Sequence, residues 1–185
     1  MRTLDTGRLV LRPWREEDAE DLFAYARNPA VGPAAGWKPH ADLDESRRIL
    51  AHFIAQGDVW AIEEKESGQV VGSFGLHADD IRRNDRARMI GYVLREESWS
   101  RGYMTEAVRA VLRHAFEDLG LELVSVRHYP FNERSRRVIE KAGFRYEGTL
   151  RRAIRRYDGV VLDDCCWSMT REEYFLSTLA DERKP

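Results

Sequence analysis

The sequence has little of what would tie a chain to a membrane, an oxidising compartment or a metal. No apolar run approaches the length needed to cross a bilayer, and Met1-Arg2-Thr3-Leu4-Asp5 opens without the apolar stretch of a secretory leader, so the cytoplasm is the expected location. Cysteine is confined to the adjacent pair Cys165-Cys166, whose side chains on a strand point to opposite faces, which disfavours a disulfide between them. Two cysteines do not make a metal site unaided, so no metal is expected, and the pair reads as one core thiol and one outward thiol. Charge of one sign is scarce too: 30 Lys and Arg against 32 Asp and Glu leave −2, which removes the general electrostatic case for nucleic acid. What remains, 185 residues of ordinary globular composition, suits one domain spanning 1–185.

What is present is a succession of short, well-punctuated elements. Arg8 to Pro13 reads as a first strand, and the acidic run Glu16-Glu17-Asp18 opens a helix with Ala19, Leu22, Phe23 and Ala26 inward. Val31 to His40 is a Gly- and Pro-rich loop carrying Trp37 and His40, which either line a substrate entrance or pack Trp37 down onto the core. A helix over Asp42 to Gln56 follows, then two strands, Val59–Lys65 and Gln69–Leu76, around Glu66-Ser67-Gly68, which implies antiparallel sheet. The charged loop Asp79 to Arg86 is either a solvated connection or, through Asp79-Asp80, an acidic lip for a cationic substrate.

The clearest organisation runs from Ala87 to Leu119. Met89–Leu94 is a buried-strand pattern, the polar segment Arg95 to Glu106 contains a single glycine, and Val108, Val111, Leu112, Ala115, Phe116 and Leu119 share one helical face before Gly120. A strand passing through a glycine turn into a helix start leaves unpaired amides at the positive end of the helix dipole, which attracts phosphate. Gly102 permits close backbone approach, and Arg101 adds charge to the same concavity; a plain βα connection is the alternative. Leu123–Tyr129 is then a strand parallel to Met89–Leu94, since a helix separates them. Asn132 and Ser135 follow that strand's C-terminal end, where ligands bind in parallel sheets, and either would also serve as a helix cap. Beyond Gly143, Phe144 to Met169 reads as two or three strands turning at Asp158-Gly159, with Arg151 to Arg156 on an exposed edge.

Three of these stretches resemble successive signatures of the GNAT acetyltransferases: Trp99 to Ala107, Asn132-Glu133-Arg134-Ser135, and Glu140 to Gly148. Together with Thr6 to Arg12 they resemble the Rim-like branch, which includes ribosomal-protein serine and alanine N-terminal acetyltransferases. The likeness covers nearly the whole chain. It implies an α+β fold: a mostly antiparallel twisted sheet of about seven strands with one splayed parallel pair, and helices on both faces. It also implies acetyl-CoA as co-substrate and an amine acceptor, most simply a protein N-terminus, with a polyamine, aminoglycoside or amino acid as the rival and a non-catalytic acyl-CoA-binding module as the alternative of another class. A homodimer is a habit of the family, although no residue pattern here argues for one.

By this resemblance the pyrophosphate rests on backbone amides from about Arg101 to Thr105, in a turn that comprises Trp99, Ser100, Arg101, Gly102, Tyr103, Met104 and Thr105. The family pattern of Gln or Arg, two residues, Gly, one residue, then Gly or Ala is kept only at Gly102, with Trp99 and Met104 at the outer positions. Val93, Leu94 and Asn132 would hold the pantetheine arm. Glu96 resembles the position of the family's proposed base, with Glu97 as its neighbouring alternative, and Ser135 would be the proton donor to the departing thiolate. Trp37, His40 and Asp79 would shape the acceptor pocket. An α-amino group with a pKa near 7.7–8.0 needs about one unit of deprotonation at pH 7, whereas a lysine near 10.4 needs about three.

Overall fold

Strand alternation divides the core. In β3 (Val59–Glu64), Val59 and Ala61 face one side of the sheet while Trp60 and Ile62 face the other, and all four are buried. A strand buried on both faces requires helices on both, and the chain supplies them. The structure, a computed structural model, describes residues 1–182. β1 (Leu4–Asp5), β2 (Leu9–Pro13), β3, β4 (Val70–Ala78), β5 (Ala87–Leu94), β6 (Leu123–His128), β7 (Arg145–Arg155) and β8 (Val161–Thr170) form one sheet ordered β1-β2-β3-β4-β5-β6-β8-β7. Every neighbouring pair is antiparallel except β5 with β6. The expected seven strands are eight because the two-residue β1 pairs with β2.

Helices α1 (Ala19–Ala26) and α3 (Leu43–Gln56) cover one face through Leu22, Tyr25, Ala26 and Leu50, with the short α2 (Gly32–Ala35) beside them. On the other face lie α4 (Tyr103–Arg113), continued by a π-helical turn His114–Asp118, and α5 (Glu133–Ala142), with α6 (Arg171–Glu182) last. Val108, Val111, Leu112 and Phe116 pack there against Leu9, Ile62, Phe74 and Val124. Truncating Phe74 or Phe116, both fully buried, would cost on the order of 3–5 kcal/mol.

The π turn overturns one expectation. The Leu119 amide donates to His114 O, five residues back, so the added residue rotates the chain and Leu119 ends 52 % exposed instead of closing the apolar face. Leu121 takes the inward place. The cysteines also depart from one buried and one outward thiol, since both are half-buried. Among the described residues no helix is long and apolar enough to cross a membrane, and no group of three or more His, Cys, Asp or Glu is placed to hold a metal ion.

The feature that positions the site is where β5 and β6 part. Their parallel pairing ends at Ile90 opposite Val126, yet β5 continues to Leu94 and β6 to His128. β4 and β8 hold the outer sides of the two strands, with Gly72 opposite Leu94 and Cys165 opposite His128, so the gap stays open between them.

Candidate functional site

One rim of this gap is the turn into α4. Glu96–Ser98 form a single 3₁₀ turn, Ser100 and Gly102 adopt left-handed backbone with φ of 60° and 81°, and α4 begins at Tyr103. A non-glycine residue in that region costs on the order of 1–3 kcal/mol, held in place here by the surrounding contacts. Gly102 has no side chain to cap the helix, and the first intrahelical bond is Glu106 N–H to Gly102 O at 3.1 Å. The amides of Tyr103, Met104 and Thr105 therefore lack intrahelical acceptors and stand at the cavity wall. That is a concave donor array at a dipole's positive end.

The turn is held from outside. Arg8 donates from its backbone N–H to Glu106 Oε1 and from Nε to Oε2, both at 2.8 Å, and from Nη1 to Arg101 O at 2.9 Å. Thr6 Oγ1 donates to Glu106 at 2.6 Å, and the Tyr103 hydroxyl donates to the buried Glu64 at 2.6 Å. The Tyr103 bond, seconded by Ser67, keeps the Glu64 carboxyl below the usual range against the opposing pull of burial. The Trp99 indole donates to Leu94 O at 2.9 Å, tying the turn to the end of β5.

Arg101 departs from expectation. Its Nη1 lies 3.2 Å from Glu64 and its guanidinium covers the Tyr103 ring, so its charge is turned back into the fold and does not line the cavity. The cations beside the turn come from α5. Arg134, Arg137 and Lys141, at i, i+3 and i+7, line its wall, and the Arg134 guanidinium carbon sits 3.9 Å from the Trp99 ring centroid. None of the three forms an ion pair among the described residues. The signal was present in Glu133 to Ala142 as a basic helical face.

The cavity of about 580 Å³ runs from this turn through the parted strands to Val31, Ala34 and Ala35 at α2. Of the expected cofactor residues, Val93, Leu94, Trp99, Ser100, Gly102, Tyr103, Met104, Thr105 and Asn132 line it. Asn132 also caps α5, its Oδ1 accepting from Ser135 N–H at 3.1 Å and its Nδ2 donating to Ala34 O at 3.1 Å, so capping and lining coincide. Ser135 Oγ is 3.0 Å from the Tyr92 hydroxyl, and both residues line the cavity. Burial pushes the Tyr92 hydroxyl well above its ordinary range, partly offset by Ser135.

Other expected site residues are not brought together. Glu96 and Glu97 are exposed and off the cavity wall, and Glu96 accepts from Asn28 Nδ2 at 2.8 Å. Trp37 folds over its own loop, where a Cβ at Gly32 would meet its ring at 2.6 Å, and packs at a tilt against His40, which is buried against Ser46 at 2.7 Å. Asp79 is no acidic lip. Its side chain is 2 % exposed, accepts from Ser125 Oγ at 2.6 Å and pairs with Arg82 at 2.8 Å; these bonds hold its carboxyl below the usual range although burial works the other way. In their place the far end of the cavity gathers Arg127, His128, Tyr129, Ile154 and Asp164, which the sequence reading passed over as strand residues.

A sheet whose one parallel pair parts beside a phosphate-seeking helix start and a basic helix face suits a ligand that carries phosphates at one end and reaches between the parted strands with the other. Comparison with known proteins carries this further. The family described as "Acetyltransferase (GNAT) domain" matches residues 8–145. The "Uncharacterized N-acetyltransferase YoaA" of Bacillus subtilis is 31 % identical over 153 residues, covering 80 % of this chain and 85 % of that one. The crystal structure of a GNAT-family acetyltransferase from Bacillus anthracis superposes with a TM-score of 0.84 at 21 % identity, over 93 % of this chain and 100 % of the other. The ribosomal-protein-S5-alanine acetyltransferase from Vibrio fischeri has a TM-score of 0.76 at 19 % identity, over 94 % and 99 %. The chain belongs to the GNAT acetyltransferase family. It is an acetyl-CoA-dependent N-acetyltransferase, moving an acetyl group to an amine.

Proposed function

We propose that the acceptor is a protein N-terminal α-amino group, with small first residues such as serine or alanine preferred. The observation that carries this reading is the chemistry around the parted strands. The groups there are the hydroxyls of Tyr92, Ser135 and Tyr129, with the His128 imidazole and Arg127 beyond them, and among the described residues Asp164 at the far end is the cavity's one carboxylate. Preparing a lysine amine at pH 7 costs roughly 4–5 kcal/mol, against roughly 1–1.4 kcal/mol for an α-amine, so a site with a single carboxylate, itself paired with Arg127, suits the less demanding α-amine. The resemblance in fold to the Vibrio fischeri enzyme is in line with this.

In this reading the amides after Gly102 receive the pyrophosphate, Arg134, Arg137 and Lys141 receive its charge and the 3′-phosphate, and the edges of β5 and β6 flank the pantetheine arm. The acetyl-CoA thioester supplies the electrophile. Ser135, backed by a Tyr92 hydroxyl that burial keeps protonated, relays a proton to the leaving sulphur. Thiol release from acetyl-CoA is to be measured with Ser- and Ala-starting peptides, their N-terminally blocked forms, polyamines and aminoglycosides. Free N-termini are expected to give the highest kcat/KM and blocked peptides none. Faster turnover of a polyamine or aminoglycoside would replace this reading with a small-molecule enzyme.

A further inference from the structure

We propose that Asp164 on β8, and not Glu96, is the carboxylate that receives the proton of the incoming ammonium group. This rests on amine acetylation in this cavity and holds whichever molecule carries the amine. Pairing sets Cys165 opposite His128, so Asp164 is the next residue along β8, level with the end of β6 where the strands have parted. It is 4 % exposed and faces the cavity.

A buried carboxylate normally collects several donors. Asp164 has little: among the described residues its ion-pair partner is Arg127 Nη1 at 3.3 Å, and that guanidinium is shared with Asp80 at 2.7 Å. The groups that face it are Arg127 and His128 at the end of β6, Tyr129 just beyond it, Asp80 from the loop between β4 and β5, and Cys166 on its own strand. Burial raises its carboxyl above the usual range, with Arg127 and His128 opposing and Asp80 adding to the rise. Such a carboxylate is a stronger proton acceptor than an exposed glutamate. The neighbouring His128 Nε2 is buried without a hydrogen-bond partner, a further polar group left open at this end of the cavity.

The protons balance. An N–H bond of the ammonium breaks as an O–H bond forms on Asp164, and the freed lone pair makes the N–C bond to the thioester carbonyl. Collapse breaks the C–S bond, and a second proton passes from nitrogen through the Ser135 and Tyr92 hydroxyls to sulphur. The products are the amide, the thiol and a protonated Asp164, which returns its proton to solvent.

The test is the pH profile of kcat/KM with a saturating co-substrate and whichever primary amine the enzyme turns over, for the full chain and its Asp164→Asn variant. At pH 7 the variant should lose roughly 100-fold, and its kcat/KM should then climb about tenfold per pH unit as free amine becomes available, closing the gap near the amine pKa. Acetyl-CoA affinity by calorimetry should be unchanged. A deficit constant with pH, a loss below about threefold, or an equal loss in Glu96→Gln would overturn the proposal. Should Asp164→Asn fail to fold, Arg127→Gln decides: removing the cation that opposes the rise must move the acid limb of kcat/KM to higher pH, and an unmoved limb rejects Asp164. Because any acetylated amine serves, failure here leaves the N-terminal reading standing, and failure of that reading leaves this one.

Discussion

On the α4 side of the cleft almost every polar side chain around Gly102 is spent within the protein. Glu106 holds Arg8 and Thr6, Glu64 holds Tyr103 and Arg101, and the Trp99 indole holds Leu94. On the opposite side the polar groups have few partners: Arg134, Arg137 and Lys141 form no ion pairs among the described residues, His128 Nε2 is unbonded, and Asp164 has one long ion pair. The difference separates two tasks. Satisfied side chains fix a backbone, so the α4 wall offers amides in a rigid array, which suits a cofactor handle that is always the same. The α5 cations are exposed and hydrated, ready to pair with an anion, whereas the buried Asp164 and His128 carry a desolvation cost that a ligand relieves, and both sets lie where phosphates and the acceptor amine would arrive.

The contrast can be broken most severely at Gly102. Gly102→Glu adds a charge against the phosphates and a side chain at φ 81°, and is expected to weaken acetyl-CoA binding on the order of 100-fold by calorimetry. Unchanged affinity would remove the phosphate assignment. A smaller loss, about tenfold and shrinking with added salt, is expected for Arg134→Met, since the lost contact is one charged hydrogen bond. Arg101→Met should lose less, because that guanidinium already belongs to Glu64; the reverse order would refute the division of labour between the walls.

Acid should sharpen the same contrast. Burial alone would raise the Glu106 carboxyl, but Thr6 and Arg8 outweigh it and hold the folded value below the unfolded one. Its contribution to stability is therefore complete above the ordinary carboxylate range and lost as pH falls through the folded value. Melting temperatures of the wild type and Glu106→Gln should differ at neutral pH and converge in acid; a gap independent of pH would mean the bonds contribute nothing through ionisation. The smallest effect is expected at Glu96→Gln, within about twofold of wild-type kcat/KM, as for an exposed side chain away from the cavity.

Much of the framework was legible from residue order. The Val59–Leu76 hairpin, the parallel pair of Met89–Leu94 with Leu123–Tyr129, the α5 cap at Asn132 and the glycine at the head of α4 all follow from local periodicity and turn chemistry. Leu119 was misread because a π turn breaks the period that placed it inward. Arg101 and Asp79 were misread for another reason: a charge in a loop looks available until the partner that claims it, Glu64 or Arg82, is brought from far along the chain or turned back by the loop itself. The basic face of α5 was readable but was overshadowed by the single arginine beside the glycine.

By itself the sequence determined the elements, their order and the glycine turn that leads from a strand into α4, because hydrophobic period, caps and glycine conformations act over a few residues. Only the tertiary structure decided which charges are spent and which remain for a ligand. Ion pairs and burial depend on atoms brought together from distant positions, and that is how Glu96 came to lie outside the cavity and Asp164 within it.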